Sequence, residues 1–267
     1  MKKIAFLLLS VLIISCSSSD DNGGTPIVEN FDYFPLTMGS NWTYNNEDTE
    51  QDPTRDSLYV SSIEVINGVD HSEFSALDPA SGFMTNVLSQ SMLRTTDNEL
   101  ILNGVLGTPL VEGFPEIAIP LIDVIVYDMN KSNGSLLSEV TGEIAEVIED
   151  IPLKIGYNIR TIQGEIMDDG YGIYTDSSVL TSEIIVNLSI FAEIELIPGT
   201  IIEIPILQPQ DVITSTNYFA DGIGVIFCDT QIEYQLEDLS ALGIELPIPT
   251  EGYSIATQSL DTYQIGN

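Results

Sequence analysis

Segments in which apolar and polar residues alternate follow one another along most of the chain after residue 32. This alternation is typical of β-strands that bury one face. Asn67-Gly68 falls between two such segments and is a strong signal for a two-residue hairpin turn. The pattern predicts a first strand that is entered at Trp42 and Tyr44. It also predicts one short helix, over residues 236–242, and strands over residues 57–66, 71–77, 83–88, 93–96, 100–106, 117–127, 154–166, 171–174, 178–190, 201–207 and 253–265.

Three segments are apolar at successive positions rather than at alternate ones: residues 117–127, 184–197 and 201–207. A strand with two apolar faces needs cover on both of them. Two sheets packed on each other would provide that cover, and so would a ligand held in an apolar cavity. The pattern leaves both arrangements open.

The first 15 residues have the composition of a secretory signal peptide. Lys2 and Lys3 precede an apolar segment over residues 4–14, and small residues follow it. These 11 residues are too few for a helix that spans a bilayer, which needs ~20. We therefore expect a signal peptide over residues 1–15, a flexible acidic tether over 16–32, and a single β domain over 33–267.

The residues Ile13, Ile14, Ser15 and Cys16 resemble the lipobox of bacterial lipoproteins. The resemblance implies cleavage before Cys16 and lipidation of that cysteine. Several acyl chains anchor a protein stably, because each buried methylene contributes ~0.8 kcal/mol. The serine-rich and then acidic residues 17–21 resemble the export signal of Bacteroidota-type lipoproteins, which implies an outer-membrane protein that is lipid-anchored and faces the cell exterior.

Two further motifs look like parts of uncharacterised lipoprotein domains of the same Bacteroidota type. The first consists of Phe34-Pro35-Leu36, Gly39, Trp42 and Tyr44, and the second is the segment Tyr218-Phe219-Ala220 followed by Gly222 and Gly224. Similar domains are curved antiparallel sheets. The resemblance therefore implies an all-β fold with a curved antiparallel sheet, half-barrel or lipocalin/sandwich-like, in a single domain. It implies architecture and not activity.

The charge of the chain excludes one class of partner. There are 7 basic and 41 acidic residues, a formal net charge of −34, and removal of residues 1–15 takes away 2 lysines, so that 5 − 41 gives −36. Such a surface repels phosphate backbones, and we expect no nucleic-acid partner. The hydrophobic fraction of 43% still allows the chain to bury a core.

Residues suited to catalysis are few. The chain has one histidine, His71, within a strand pattern, and no G-x-S-x-G elbow. Cys228 lies in an apolar segment and is predicted to be a buried core residue. The many carboxylates make close pairs inevitable, so a glycan hydrolase mechanism cannot be identified from them. We expect a protein that is not an enzyme.

One loop resembles a metal site. Residues 128–139 repeat the spacing of oxygen ligands in an EF-hand calcium loop, with Asp128, Asn130, Ser132 and Glu139 as ligands. The loop departs from that motif at Asn133, where glycine is expected, and an ordinary hairpin loop has the same composition. Calcium is the one cofactor that the sequence suggests.

Ser57 is a candidate glycosylation site, because Asp56-Ser57-Leu58 resembles the tripeptide that accepts O-linked glycans in Bacteroidota.

These observations predict a surface lipoprotein, held on the membrane by its lipid anchor, whose β domain binds an apolar or glycan-type ligand or an envelope protein. A structural or adhesive module, stabilised by calcium, is an alternative. A carboxylate-based glycan hydrolase is a third. The interior of the domain distinguishes the first hypothesis from the second, because a ligand carrier needs a cavity and an adhesive module needs a filled core.

Overall fold

The structure, a computed structural model, describes residues 31–77, 80–96, 98–108, 117–148, 151–197, 199–239 and 249–267. Residues Phe31–Asn267 form one compact unit. Its elements in chain order are β1 (Asn41–Asp48), β2 (Thr54–Ile66), β3 (Val69–Ala76), α1 (Phe83–Ser89), β4 (Ser91–Thr95), β5 (Glu99–Thr108), β6 (Ile117–Asp128), β7 (Leu136–Ile148), β8 (Ile151–Met167), β9 (Val179–Ile197), β10 (Thr200–Ala220), β11 (Gly224–Gln235) and β12 (Glu251–Gln264).

All the strands belong to one antiparallel sheet in the order β6-β5-β4-β3-β2-β1-β12-β11-β10-β9-β8-β7. Each neighbouring pair joins strands that are consecutive in sequence, except that β1 pairs with β12. The sheet curls into a nearly closed, barrel-like shape, which confirms the predicted all-β fold class. No helix that the described residues form is long and apolar enough to cross a membrane.

The edge strand β6 meets the opposite edge of the sheet through side chains of β7 and β8. The backbone N–H of Ile125 donates to Ser138 Oγ at 2.8 Å, and Thr161 Oγ1 donates to the carbonyl of Ile125 at 2.7 Å. Asp128 N–H donates to Gln163 Oε1 at 2.9 Å. These bonds satisfy edge groups that would otherwise invite pairing with another chain.

The apolar segment in β6 covers one face of the sheet and not two. Leu121 is buried, Ile122 is 69% exposed, and Asp123 adopts a positive φ of 50°. This irregularity shifts the alternation by one residue, so that Val124 and Val126 point to the core again. A bulge therefore explains the apolar positions of both parities, and the strand needs no second cover.

The predicted strand at residues 83–88 is wrong, because this segment forms α1. Met84, Val87 and Leu88 are buried at the i, i+3 and i+4 spacing of a helix. The carboxylate of Asp56, buried in β2, accepts hydrogen bonds from the N–H groups of Ser81 and Gly82 at 2.9 and 2.8 Å. This tertiary contact fixes the start of α1. The helix is only seven residues long, so its apolar spacing in the sequence is too short to distinguish it from a strand.

Two other local predictions are corrected, and the strands β7 and β11 were missed. Residues 171–174 form turns that are joined by a single bridge between Tyr171 and Tyr174, not a strand. Residues 236–239 of the predicted helix are irregular, and residues 240–242 lie outside the described residues. Residues 136–148 form β7, although residues 136–139 were assigned to a loop from the sequence. The predicted hairpin at Asn67-Gly68 is confirmed, with φ of 53° and 82°.

The two sequence motifs meet in one aromatic cluster. The ring of Phe34 lies 5.2 Å from that of Trp42 and 6.3 Å from that of Phe219. Trp42 Nε1 donates to the carbonyl of Ile223 at 2.6 Å. Gly224 packs directly on the rings of Phe34 and Trp42, since a Cβ there would lie 2.7 Å from Phe34 Cδ2 and 3.1 Å from Trp42 Nε1. The motifs therefore build the core at the end of the sheet where Phe31 lies.

Candidate functional site

A cleft of about 290 Å³ opens between the start of α1 and the strands β1, β10, β11 and β12. Strand β1 begins at Asn41, beside the aromatic cluster, and reaches the cleft at Asp48. The cleft therefore lies at the opposite end of the sheet from Phe31, and we refer to this end as the cleft end.

The polar character of the cleft follows from the alternation in β1. Trp42, Tyr44 and Asn46 all point to the inside of the sheet, and the first two complete the aromatic core. The third position is an amide that pairs in register with Gln258 on β12. The inner face thus changes from aromatic to polar along three successive inward positions.

The amide of Asn46 is only partly satisfied. Its Nδ2 donates to Thr54 Oγ1 at 3.2 Å, whereas its Oδ1 is buried and has no hydrogen-bond partner among the described residues. Asn46 as a whole is 8% exposed. An unpaired buried acceptor costs about 1–3 kcal/mol, so this oxygen favours a donor.

Gly82 packs closely against that oxygen. A Cβ at Gly82 would lie 2.7 Å from Asn46 Oδ1 and 2.5 Å from Gln258 Oε1. Gln258 Oε1 accepts only a long hydrogen bond, 3.4 Å, from the N–H of Thr85. The two amide oxygens therefore crowd the Cα of Gly82, and a larger residue there would displace them.

Carboxylates surround the cleft, and basic side chains do not. Asp48 and Asp52 line it, and Asp48 Oδ1 accepts the backbone N–H of Glu50 at 2.7 Å. The nearby Arg55 pairs with Asp261 instead. Among the described residues that line the cleft there is no lysine or arginine, so its local charge is negative.

A buried polar network lies beside the cleft, on β10 and β11. Cys228 Sγ donates to Asn217 Oδ1 at 3.1 Å, and Ser215 Oγ lies 2.9 Å from Thr230 Oγ1, a residue that also lines the cleft. Burial raises the pKa of the Cys228 thiol above its ordinary value. The predicted burial of Cys228 is confirmed, although its neighbours are polar, and a protonated thiol is a poor nucleophile.

The apolar interior between β5, β6, β8 and β9 is closely filled. The cavity there has a volume of about 10 Å³ and is lined by apolar side chains that include Leu102, Val126 and Ile184. That volume holds about one water molecule. The excess of aliphatic residues in these strands forms a packed core at this position.

The predicted calcium ligands lie around the β6–β7 turn. Asp128 is buried and accepts the backbone N–H of Asn130 at 2.9 Å, which stabilises the turn locally. Ser132 accepts the N–H of Ser135 through its carbonyl, and Glu139 accepts a hydrogen bond from Asn158 in β8. No group of three or more histidine, cysteine, aspartate or glutamate residues suited to a metal occurs within the described ranges. Calcium binding stays a prediction.

The other predicted residues lie apart from the cleft. Ser57 is half-buried in β2, where it pairs with Thr43, and its glycosylation stays a prediction. His71 lies in β3, with Nδ1 3.0 Å from the carbonyl of Val69. Cys16, the signal peptide and residues 16–30 of the tether lie outside the described residues.

The residues that form the cleft were missed by the sequence interpretation. The available signal was Asn46, a polar residue at the inward position of an alternating strand after Trp42 and Tyr44. Gln258 gives a similar signal in β12. Gly82 gives none, because its role depends on two side chains from distant strands.

Comparisons with known proteins identify no family. No family model matches the chain, and no curated protein matches it. Two solved structures align with it: a "putative lipoprotein" from Parabacteroides distasonis (TM-score 0.39) and a "putative exported protein with YmcC-like fold" from Bacteroides fragilis (TM-score 0.37). Each is 10% identical in sequence, and each alignment covers 88% of this chain and 99% of the other.

Proposed function

We propose that this protein is a lipoprotein of the bacterial outer membrane, anchored through Cys16 and facing the cell exterior, whose non-enzymatic β domain binds a glycan-type ligand. The anchor is supported by the lipobox at residues 13–16 and by the signal peptide before it. The single observation that carries the binding function is the polar cleft at the cleft end.

The chemistry of the cleft favours a ligand rich in hydroxyl and amine groups over an apolar one. Its wall offers amide groups from Asn46, Asn86 and Gln258 and a hydroxyl from Thr230. Ile213 and Ile232 add an apolar surface on which one face of a sugar ring can pack. The volume of about 290 Å³ suits one or two sugar rings.

Lipidation of Cys16 has a direct test. We expect the protein to incorporate radiolabelled palmitate and to enter the detergent phase of Triton X-114, and Cys16→Ala to lose both properties, because the thiol is the acyl acceptor. Ser17→Ala is the matched control and should behave like the unchanged protein. Label that persists in Cys16→Ala would contradict the anchor.

Binding in the cleft is tested with a panel of immobilised oligosaccharides and the intact lipoprotein in detergent, followed by calorimetry on the sugars that bind. Ala256 lies in β12 and lines the cleft. We expect Ala256→Phe to weaken binding at least about tenfold, because the added ring occupies the space of the ligand.

The matched control is Ala145→Phe, which adds the same ring on the exposed face of β7. It should bind like the unchanged protein, and all variants should unfold at similar temperatures. If Ala256→Phe does not fold, Asn86→Ala at the cleft provides the second test and should weaken binding. A panel with no bound sugar, or cleft variants that bind normally, would overturn the binding function.

A further inference from the structure

We infer that the end of the sheet where Phe31 lies, here called the Phe31 end, contacts the surface of a zwitterionic lipid bilayer through exposed apolar side chains. This second, non-covalent membrane contact rests on the proposed lipid anchor at Cys16 and adds to it. Its support comes from a protruding hairpin, from two turns at the same end and from the charges around them.

The hairpin between β2 and β3 extends beyond its neighbours at the Phe31 end. β2 reaches the start of β1 at Tyr59, which pairs with Asn41, and continues past it. β3 pairs with β4 at Ser72 and Glu73. Residues 64–71, which we call the arm, therefore form a two-stranded ribbon that no third described strand joins. Such a ribbon is marginally stable in water, so a surface that covers its side chains would stabilise it.

The arm is apolar on both faces. Val65 is 68% exposed on one face, and Ile66 and Val69, which pair with each other, are exposed on the other. A protein docked on a ribbon covers one of its faces, whereas a lipid phase surrounds both faces of a ribbon that enters it. The arm therefore fits a lipid surface better than a protein surface.

Two turns at the Phe31 end present further apolar side chains. Ile173 is 86% exposed in the β8–β9 loop. The ring of Tyr171, in the same turn, packs on that of Tyr218 with centroids 4.3 Å apart, which holds the turn on the sheet. Met38 is exposed in the turn that precedes β1. Side chains on three separate segments can enter a broad and fluid surface without the shape complementarity that a protein partner needs.

The proposed anchor would hold a bilayer within reach of this end. Only residues 17–30 separate Cys16 from Phe31, a segment that spans at most about 50 Å. The carbonyl of Asp32, the next residue, accepts the N–H of Gly222 in the β10–β11 turn at 2.8 Å, which places the start of the domain at this end. Because the anchor raises the effective concentration of lipid, weak apolar contacts are enough to hold the Phe31 end on the surface.

The charge of this end decides which lipids fit. Asp70 in the arm and Asp168 and Asp169 in the β8–β9 loop repel anionic headgroups. Lys131, exposed in the β6–β7 turn, forms no ion pair within the described ranges and can donate to a lipid phosphate. A zwitterionic surface therefore fits better than an anionic one. The carboxylates limit insertion to the headgroup region, about 5–10 Å deep.

The experiment places an environment-sensitive fluorophore on the intact lipoprotein, reconstituted in vesicles of phosphatidylcholine and phosphatidylethanolamine. The fluorophore is attached to Val65→Cys or to Ile173→Cys, since the thiol of Cys228 is buried. The matched control is Ile201→Cys, at an aliphatic position of similar exposure, 64%, at the cleft end. We expect a quencher carried by the lipid to reduce the emission at Val65 and Ile173 at least about twofold more than at Ile201.

A second variant tests whether the apolar side chains of the arm make the contact. In Val65→Asp/Ile66→Asp, quenching of the fluorophore at Ile173 should fall at least about twofold, because carboxylates do not enter the lipid. The control with the same change in charge is Ile122→Asp/Val147→Asp, at two exposed positions outside the Phe31 end, and it should keep the quenching. All these variants should unfold at similar temperatures, since the side chains are exposed.

Equal quenching at the three labelled positions, or quenching at Ile173 that survives in Val65→Asp/Ile66→Asp, would overturn the contact. Protein that floats with the vesicles but shows no quenching at Val65 and Ile173 would mean that the contact is wrong and the anchor stands. Protein that does not float with the vesicles would mean that the anchor at Cys16 is wrong as well.

Discussion

Replacing Trp42 by alanine should lower the free energy of unfolding by about 3–5 kcal/mol, the range for large aromatic side chains in a core. The indole ring is fully buried and packs against Phe34 and Phe74, with ring centroids 5.2 and 6.0 Å away. Its Nε1 donates to the carbonyl of Ile223, and truncation leaves that carbonyl unpaired. The loss therefore combines a cavity with an unsatisfied acceptor.

The measurement is urea unfolding followed by circular dichroism, because Trp42 is the only tryptophan and its fluorescence disappears with the substitution. The control is Trp42→Phe, which keeps an aromatic ring and removes the N–H donor, and it should cost less than the alanine variant. An alanine variant that loses less than about 1 kcal/mol would show that the two motifs do not form the core of the domain.

The second large effect is expected for Gly224→Ala. Gly224 has a φ of 111°, a conformation that side chains rarely adopt, and a new Cβ would lie 2.7 Å from Phe34 Cδ2 and 3.1 Å from Trp42 Nε1. Both rings are held by the surrounding core, so neither can move away easily. We expect a loss of about 3 kcal/mol or more from backbone strain and overpacking together.

Gly222→Ala separates these two causes. Gly222 also has a positive φ, 71°, but a Cβ there would meet nothing within 4 Å. It should lose only the backbone contribution, about 1 kcal/mol. Thermal or urea unfolding of both variants gives the comparison, and equal losses would exclude the clash with the aromatic cluster as the cause.

The residues of the two motifs are far apart in the chain and meet in the core. Phe34, Trp42, Phe219 and Gly224 are separated by up to 190 positions in the chain, yet they are mutually dependent in the core. The motifs thus describe architecture, as the sequence interpretation stated, and say little about the ligand.

The residues of the cleft, unlike those of the aromatic core, belong to no sequence motif. Asn46, Gly82 and Gln258 lie on β1, at the start of α1 and on β12, and no short motif contains any two of them. Their proximity depends on the pairing of the first and last strands and on the helix start that Asp56 holds. Sequence patterns describe one element at a time. Each of the three elements contributes only one of these residues to the site, so no pattern along the chain shows that they are close together.

The sequence by itself determined the all-β class, the strands with regular alternation, the hairpin at Asn67-Gly68 and the burial of Cys228, because each depends on local periodicity or turn chemistry. Only the tertiary structure decided that residues 83–89 are a helix, that β6 changes its buried face at Asp123, and that the polar cleft exists. These features arise from contacts between distant residues, whose free energy overrides local preference and which a pattern along the chain does not record.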